Sequence, residues 1–96
     1  MTFRFDWESN KAATNLRKHG VSFDEAVTVF GDSLAVIFDD EGHSTNEVRE
    51  LLIGHSAANR LLLVCFTELH GEMIRLISAR VATKRESRDY EENRNP

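Results

Sequence analysis

The chain has 96 residues, of which 41% are hydrophobic, and it carries a formal net charge of −4. This length predicts one domain with a single modest core. The one cysteine, Cys65, excludes an internal disulfide and is typical of a reducing cytoplasm. No run approaches the ~20 apolar residues that a membrane span needs, and residues 1–9 lack the apolar segment of a signal peptide. We therefore expect a cytoplasmic globular protein.

The charges are distributed unevenly along the chain. Residues 24–50 contain eight acidic residues and one arginine, a sum of −7, whereas residues 80–88 contain four basic residues and one acidic residue. A local basic patch can attract a polyanion even when the total charge is negative. An uneven solvated surface explains the same pattern equally well, so charge alone leaves both interpretations open.

The N-terminal third predicts a short strand followed by two helices. In residues 2–7, TFRFDW, aromatic residues alternate with polar ones, which predicts a strand with one buried face. Residues 9–19 have a helical pattern that ends at Gly20. Ser22 and Glu25 then form a capping box, which predicts that a second helix begins at once. The two helices are expected to meet at a tight corner.

The rest of the chain predicts four strands and a last helix. The strand candidates are residues 34–40, 47–55, 60–68 and 73–81, and a polar loop, EGHSTN, separates the first two. The middle strands are apolar on both faces, which predicts interior positions with a layer packed over each side. Short connections favour antiparallel hairpins. Thr83 and Glu86 form a second capping box, and only Tyr90 looks able to dock the polar helix that follows.

Together these elements predict an α+β domain with the order β-α-α-β-β-β-β-α. A mostly antiparallel sheet carries two N-terminal helices and a short C-terminal helix. The domain is expected to span residues 1–92, and residues 93–96 are expected to form a disordered tail.

No strong enzymatic motif is present in the sequence. It has no P-loop, no glycine-rich dinucleotide motif and no paired-cysteine zinc signature. The position of Cys65 in an apolar strand favours a core residue over a nucleophile. The histidines lie far apart and lack metal-ligand spacing: His19, His43, His55 and His70. We therefore expect no metal and no cofactor.

Two interpretations fit Lys18 and His19, which end the first predicted helix. Cations in the last turn of a helix are favoured by ~0.3–1 kcal/mol each, so helix stability alone can explain them. Histidine is also the side chain best suited to acid–base chemistry near neutral pH. The residues by themselves leave both interpretations open.

A basic cluster near the start of the last helix is harder to explain by helix stability. Lys84 and Arg85 lie in the first turn, where the helix dipole disfavours cations by a similar ~0.3–1 kcal/mol. A helix N-terminus with added cations is a good anion site. Arg80 points toward the same corner, and Arg60 begins the neighbouring strand. The cluster predicts phosphate binding or, alternatively, a docking surface for an acidic partner.

Three stretches resemble the BrnT family of bacterial toxins, from BrnT/BrnA-type toxin–antitoxin pairs. They are FDWESNKAATNLRKHGVSFDEAVTVF, RLLLVCFTE and IRLISARVATKRESRDYEE, and the resemblance covers about residues 3–92. The KHGVSF corner and the SAR-x-AT-x-x-E-x-x-x-Y tail are its most specific parts. Ser33 stands where the family usually has a proline, a small departure in a turn.

The resemblance implies a RelE-like ribonuclease fold and cleavage of RNA without a metal, which arrests translation. It also implies neutralisation by a co-expressed BrnA-like antitoxin, which usually carries the DNA-binding part. The protein is then expected to contact DNA only through the antitoxin, in a complex that represses its own operon.

The resemblance also suggests site residues. Metal-independent cleavage needs a base for the 2′-hydroxyl, cations for the transition-state phosphate and an acid for the departing 5′-oxygen. His19 is assigned as acid or base with Lys18 beside it, and Arg80 is assigned to the transition-state phosphate. Tyr90 is expected to stack on or orient the substrate, and Glu68 is a reserve candidate for the base. The supporting phosphate contacts are Arg60, Lys84 and Arg85.

A function of another class stays open. The protein would then be a non-catalytic binding module, an inactive toxin relic that acts with the antitoxin as a transcriptional co-repressor. The acidic segment 24–50 and the apolar strands would form its partner-binding surface. Expression alone separates the two hypotheses, because an active toxin stops growth and a relic is harmless.

Overall fold

The computed structural model describes residues 3–39 and 48–94. In these residues the strands are β1 (Arg4–Asp6), β2 (Val36–Asp39), β3 (Glu50–His55), β4 (Leu61–Leu69) and β5 (Met73–Val81). The helices are α1 (Ser9–His19), α2 (Phe23–Thr28) and α3 (Lys84–Arg94). Two short 3-10 turns that were not predicted follow α2 and precede β5, at Val29–Gly31 and His70–Glu72. The predicted EGHSTN loop lies outside the described residues.

The described strands form one mixed sheet in the order β1-β5-β4-β3-β2. β1 pairs in parallel with β5, and the other neighbouring pairs are antiparallel. The predicted α+β class and the mostly antiparallel sheet are therefore confirmed. β4, one of the strands predicted to lie inside the sheet, is its central strand.

The corner between α1 and α2 follows from local signals. Gly20 ends α1 with a φ of 68°, in the left-handed region, and its N–H donates to the carbonyl of Leu16 over 2.9 Å. Ser22 caps α2, because its hydroxyl accepts a bond from the N–H of Glu25 over 3.0 Å. The carboxylate of Glu25 does not return to the cap, since it is bound by Arg60. The first predicted capping box, Ser22–Glu25, is thus only half formed.

Both faces of the sheet are covered. Successive side chains of a strand point to opposite faces, so Leu62 and Leu63 of β4 belong to different layers. Leu62 lies in the larger core, under α1 and α2, with Val21, Phe23, Ala26, Val29, Leu52, Val64, Phe66, Ile74, Leu76 and Ala79. Leu63 lies in a smaller cluster with Ile53 and with Tyr90 of α3. The two layers predicted from the apolar middle strands are confirmed.

α3 begins with a complete capping box. The N–H of Glu86 donates to the hydroxyl of Thr83 over 3.2 Å, and the N–H of Thr83 donates to the Glu86 carboxylate over 2.9 Å. The helix runs to Arg94, so residues 93 and 94 are helical and not part of a disordered tail. Residues 95 and 96 lie outside the described residues.

No helix in residues 3–39 and 48–94 is both long and apolar enough to cross a membrane.

Candidate functional site

One end of the sheet brings together most residues that were predicted to form a site. β3 ends and β4 begins here, joined by the turn 56–60, and β5 also ends here. The start of α3 is held at this end because the N–H of Ala82 donates to the carbonyl of Leu61 over 2.9 Å. The C-terminal half of α1 is fixed near this end through Asn15, which bonds Ala79 of β5. We call this the turn end of the sheet.

Asn15 fixes α1 against the edge of β5. Its side chain is buried and pairs with the backbone of Ala79 as a strand would, donating to the carbonyl over 2.8 Å and accepting from the N–H over 3.0 Å. It also donates to the carbonyl of Val21 over 2.9 Å. β1 pairs only with residues 73–75 of β5. The side chain of Asn15 therefore occupies an edge position that β1 does not reach.

Lys18 and His19 line a cleft of about 320 Å³ between α1 and β5. Both side chains are exposed. Within residues 3–39 and 48–94, neither makes a hydrogen bond or an ion pair. An exposed imidazole beside an uncompensated ammonium can exchange protons with a bound molecule while the ammonium attracts an anion.

Arg60, which was predicted to be a supporting phosphate contact, is bound by a carboxylate. Its Nε donates to Glu25 over 3.0 Å and its Nη2 bonds the other carboxylate oxygen, which makes a bidentate pair. Nη2 also donates to the carbonyl of Gly20 over 3.1 Å. Hydrogen bonding within the pair lowers the pKa of Glu25 and raises the pKa of Arg60. Arg60 thus ties the α1–α2 corner to the β3–β4 turn, and a phosphate would have to displace Glu25.

Arg80 is paired in the same way. Its two terminal nitrogens donate to the two carboxylate oxygens of Glu86, each over 2.8 Å. Hydrogen bonding within the pair raises the pKa of Arg80 and lowers the pKa of Glu86. Because Glu86 also caps α3, the guanidinium is held at the first turn of that helix. Lys84 and Arg85 of the same turn are exposed, and neither forms an ion pair with another residue that the structure describes.

The predicted anion corner is divided by the sheet. Arg80 lies opposite Leu63 in the β4–β5 register, so it projects on the face that α3 covers. Arg60 binds Glu25 of α2, which covers the other face. The sequence predicted one cluster because Arg60 precedes β4 and Arg80 lies near the end of the neighbouring strand β5. In the structure their side chains lie on opposite faces of the sheet.

Tyr90 docks α3 and does not face a substrate. Its side chain is 1% exposed. The hydroxyl donates to Asp32 over 2.9 Å, and the ring lies edge-on to His55 with the centroids 5.2 Å apart. An enclosed ring cannot stack on a base, so the predicted substrate contact is wrong for this structure. The predicted docking of the polar helix by Tyr90 is confirmed.

Asp32, His55 and Tyr90 form a network that the sequence analysis missed. Asp32 also accepts the backbone N–H of His55 over 2.8 Å, and the His55 Nδ1 lies 3.2 Å from the Tyr90 hydroxyl. Burial raises the pKa of Asp32, but hydrogen bonds from His55, Leu34 and Tyr90 outweigh burial and lower it overall. Because the carboxylate can only accept, Tyr90 donates to it and accepts from His55 Nδ1. Within residues 3–39 and 48–94, Nε2 of the half-exposed His55 makes no hydrogen bond.

Glu68, the reserve base, is not brought to the turn end. It is seven residues along β4 from Leu61, which corresponds to about 23 Å of strand. Its neighbour there is Glu50, whose pKa rises to about 7 through a hydrogen bond to Glu68, burial and the charges of Glu68 and Asp39. We call Asp39, Glu50 and Glu68 the acidic end of the sheet.

Two further expectations concern metals and the cysteine. Cys65 is buried in β4, as the sequence predicted. In the described part of the chain, no group of three or more His, Cys, Asp and Glu side chains is arranged to hold a metal ion. His43 lies outside the described residues.

Comparison with known proteins assigns the chain to a family. Residues 7–86 match the family described as the ribonuclease toxin, BrnT, of type II toxin–antitoxin systems. The structure is similar to the 1.1 Å crystal structure of the Brucella abortus ribonuclease toxin BrnT, with a TM-score of 0.65 and 25% identity over 86% of this chain and 100% of that one. No curated protein matched the sequence. Because the family match spans most of its length, the chain belongs to the BrnT family of ribonuclease toxins of type II toxin–antitoxin systems.

Proposed function

We propose that this chain is a metal-independent endoribonuclease that cleaves RNA, arrests translation and is neutralised by a cognate antitoxin. The RelE-like relationship that the sequence resemblance implies is part of this proposal. The observation that carries it is the exposed pair Lys18–His19 in the cleft between α1 and β5. This pair combines a proton-transfer group with a cation that no described residue neutralises.

The proposed reaction is a transesterification within the RNA chain. A base takes the proton of a 2′-hydroxyl, and the 2′-oxygen forms a bond to the adjacent phosphorus. The bond from phosphorus to the 5′-oxygen breaks, and an acid protonates that oxygen. The products are a 2′,3′-cyclic phosphate and a 5′-hydroxyl, so no co-reactant is consumed. His19 acts as the acid or the base, and Lys18 stabilises the extra charge of the transition state.

Arg80 projects on the face that α3 covers, so we propose that it reaches the transition-state phosphate around the edge of β5 that β1 does not cover, once Glu86 has released it. A phosphate offers a guanidinium the same pair of acceptor oxygens that a carboxylate does. Lys84 and Arg85 favour such an exchange, because they add positive charge at the same helix N-terminus. Arg60 is a second arginine of this kind, which reaches RNA only by releasing Glu25. In this proposal, each of the two arginines binds the substrate only after it has left its carboxylate partner.

The partner follows from the family. A type II toxin–antitoxin system implies an antitoxin. We propose that it is a small BrnA-like DNA-binding protein and that this chain reaches DNA only through it. The pair is proposed to act in the cytoplasm.

Expression of the chain alone tests this function in cells. The parent should stop growth and protein synthesis, and the antitoxin from the neighbouring gene should restore both. His19→Ala should be harmless, whereas His70→Ala should stay toxic, because His70 is an equally exposed histidine in the turn before β5. If the parent is harmless when it is well expressed, the chain is instead the non-catalytic co-repressor. If His19→Ala is fully toxic, the proposed site is wrong.

A further inference from the structure

The cleft beside Lys18 contains a second lysine that the proposed reaction does not use. Lys11, Thr14, Asn15 and Lys18 all line this cleft. Their spacing of i, i+3, i+4 and i+7 places them in one stripe along α1. Asn15 locks this stripe against β5 through its bonds to Ala79. The helix therefore turns a polar face with two lysines toward the sheet edge.

This cleft continues along the helix. An adjoining cleft of about 320 Å³ shares Lys11 and Ile77 with the first and extends to Trp7 and Arg75. Ile77 is the extra residue of a β-bulge, because Leu76 pairs with Phe66 while Ser78 already pairs with Cys65. The two clefts form one groove from Trp7 to His19, which we call the α1–β5 groove.

The lining of the α1–β5 groove carries three cations, Lys11, Lys18 and Arg75, against one carboxylate, Glu8, so its net charge is positive. Lys11 is exposed and, like Lys18, makes no ion pair within residues 3–39 and 48–94. Arg75 adds a third cation, which is bound to Asp6 over 3.1 and 3.2 Å. Lys11 and Lys18 are seven residues apart, which separates them by roughly 10 Å along the helix axis. Two cations at this separation suit two phosphates of one strand better than a single phosphate.

The groove also has an aromatic end. Trp7 is half-buried and rests edge-on against Phe23, with the ring centroids 5.7 Å apart. It contributes to the wall of the cleft next to Lys11. Proteins that hold single-stranded nucleic acid combine a positive groove for the backbone with an aromatic side chain for an unpaired base. A base in a duplex is not available for such a contact.

We propose that the α1–β5 groove is the binding track for single-stranded RNA. Lys11 binds a phosphate next to the one that lies at His19, and Trp7 contacts an unpaired base beyond it. This inference rests on the proposed ribonuclease function, which it extends with a substrate form and a binding residue. The competing occupant is an acidic segment of a protein partner, which the experiment below separates from RNA.

Binding of a short 2′-O-methyl oligoribonucleotide of mixed sequence tests the track. This probe has no free 2′-hydroxyl, so the proposed reaction cannot cleave it. Trp7 is the single tryptophan of the chain, so its fluorescence should change on binding. Lys11→Ala should weaken binding several-fold at 0.15 M salt, and the slope of log K against log salt should fall by about 0.7. Lys11→Arg should retain binding.

Arg17→Ala is the matched control. Arg17 lies on the same helix, is equally exposed and does not line either cleft. It should leave affinity nearly unchanged, because its side chain does not line the groove and an exposed charge outside it is largely screened at this salt concentration. Circular dichroism checks that both variants are folded.

Three results would overturn the inference. They are no binding of the probe by the folded parent, equal losses in Lys11→Ala and Arg17→Ala, or tight Lys11-dependent binding of an acidic peptide but not of the probe. Failure of the ribonuclease function looks different. If the parent binds the probe through Lys11 but leaves ordinary RNA intact, the proposed ribonuclease function is contradicted and the proposed RNA-binding groove is not.

Discussion

The two ends of the sheet hold their charges in opposite ways. At the turn end, the carboxylates of Glu25 and Glu86 are paired with Arg60 and Arg80. The carboxylate of Asp32 accepts hydrogen bonds from neutral donors, among them the hydroxyl of Tyr90. At the acidic end, Glu50 is hydrogen-bonded to another carboxyl group, that of Glu68. The turn end is therefore most stable when its carboxylates are ionised, and the acidic end when Glu50 holds a proton.

A second contrast lies within the basic residues themselves. Arg60 and Arg80 are each held by a carboxylate, whereas Lys11 and Lys18 have no ion-pair partner in the described residues. An unpaired lysine can bind a phosphate directly, but a paired arginine must first lose its partner. We propose that this difference separates residues that bind RNA at once from residues that engage later; the prediction for Glu86 below tests it.

The largest effect is expected where α1 is fixed to the sheet. Asn15→Ala leaves the buried N–H and carbonyl of Ala79 and the carbonyl of Val21 without their partner. Unsatisfied buried groups cost about 1–3 kcal/mol, so we expect a loss of about 3 kcal/mol. Urea unfolding measures it. Asn10→Ala changes an exposed asparagine of the same helix and should stay within about 0.5 kcal/mol of the parent; equal stability of the two variants would contradict the role of Asn15.

A smaller effect with a functional consequence is expected at Glu86. Glu86→Gln removes the charge that holds Arg80 and should cost about 1 kcal/mol at pH 7, because the pair is partly exposed. The pKa of Glu86 is lowered in the folded protein, so this loss should vanish as the pH falls through that value. The released Arg80 should bind the 2′-O-methyl probe several-fold more tightly. Unchanged affinity would make Arg80 a structural residue alone.

The smallest effect is expected at the acidic end, with the opposite sign. The pKa of Glu50 is raised to about 7, above its usual 4.5. Its contribution to stability is therefore complete below about pH 4.5 and is lost as the pH rises through 7. Glu50→Gln should gain on the order of 1 kcal/mol over the parent at pH 8 and nothing at pH 4. Thermal unfolding at the two pH values measures this; an equal gain at both would contradict the shared proton.

The features of the fold that could be predicted from the sequence are those that depend on residues close together in the chain. Gly20 and the two capping boxes are motifs of no more than four consecutive residues, and they indicate where helices end or begin. The alternation of apolar residues identifies the strands and their buried faces. The α+β class follows from these signals alone. Glu25 does not complete its capping box, because its carboxylate is bound by Arg60, which is distant in the sequence.

The candidate site was predictable only in part, because its contacts are long in sequence. Lys18 and His19 adjoin a cleft, as a site requires, but Lys11 was missed because a lysine in the first half of a helix looks like ordinary surface. Arg60 and Glu25 are 35 residues apart, and Asp32 and Tyr90 are 58 apart. No local pattern reports such pairings, and the face on which Arg80 projects depends on the strand register.

Cleavage of RNA by the purified protein in EDTA tests the central claim most directly. A 5′-labelled single-stranded RNA is incubated with the parent, His19→Ala and the control His70→Ala, with and without ribosomes. We predict cleavage by the parent and by His70→Ala that leaves a 2′,3′-cyclic phosphate. We predict a loss of about 100-fold or more in His19→Ala, the usual contribution of a general acid or base. No cleavage by the folded parent under either condition, or full activity of His19→Ala, would contradict the account.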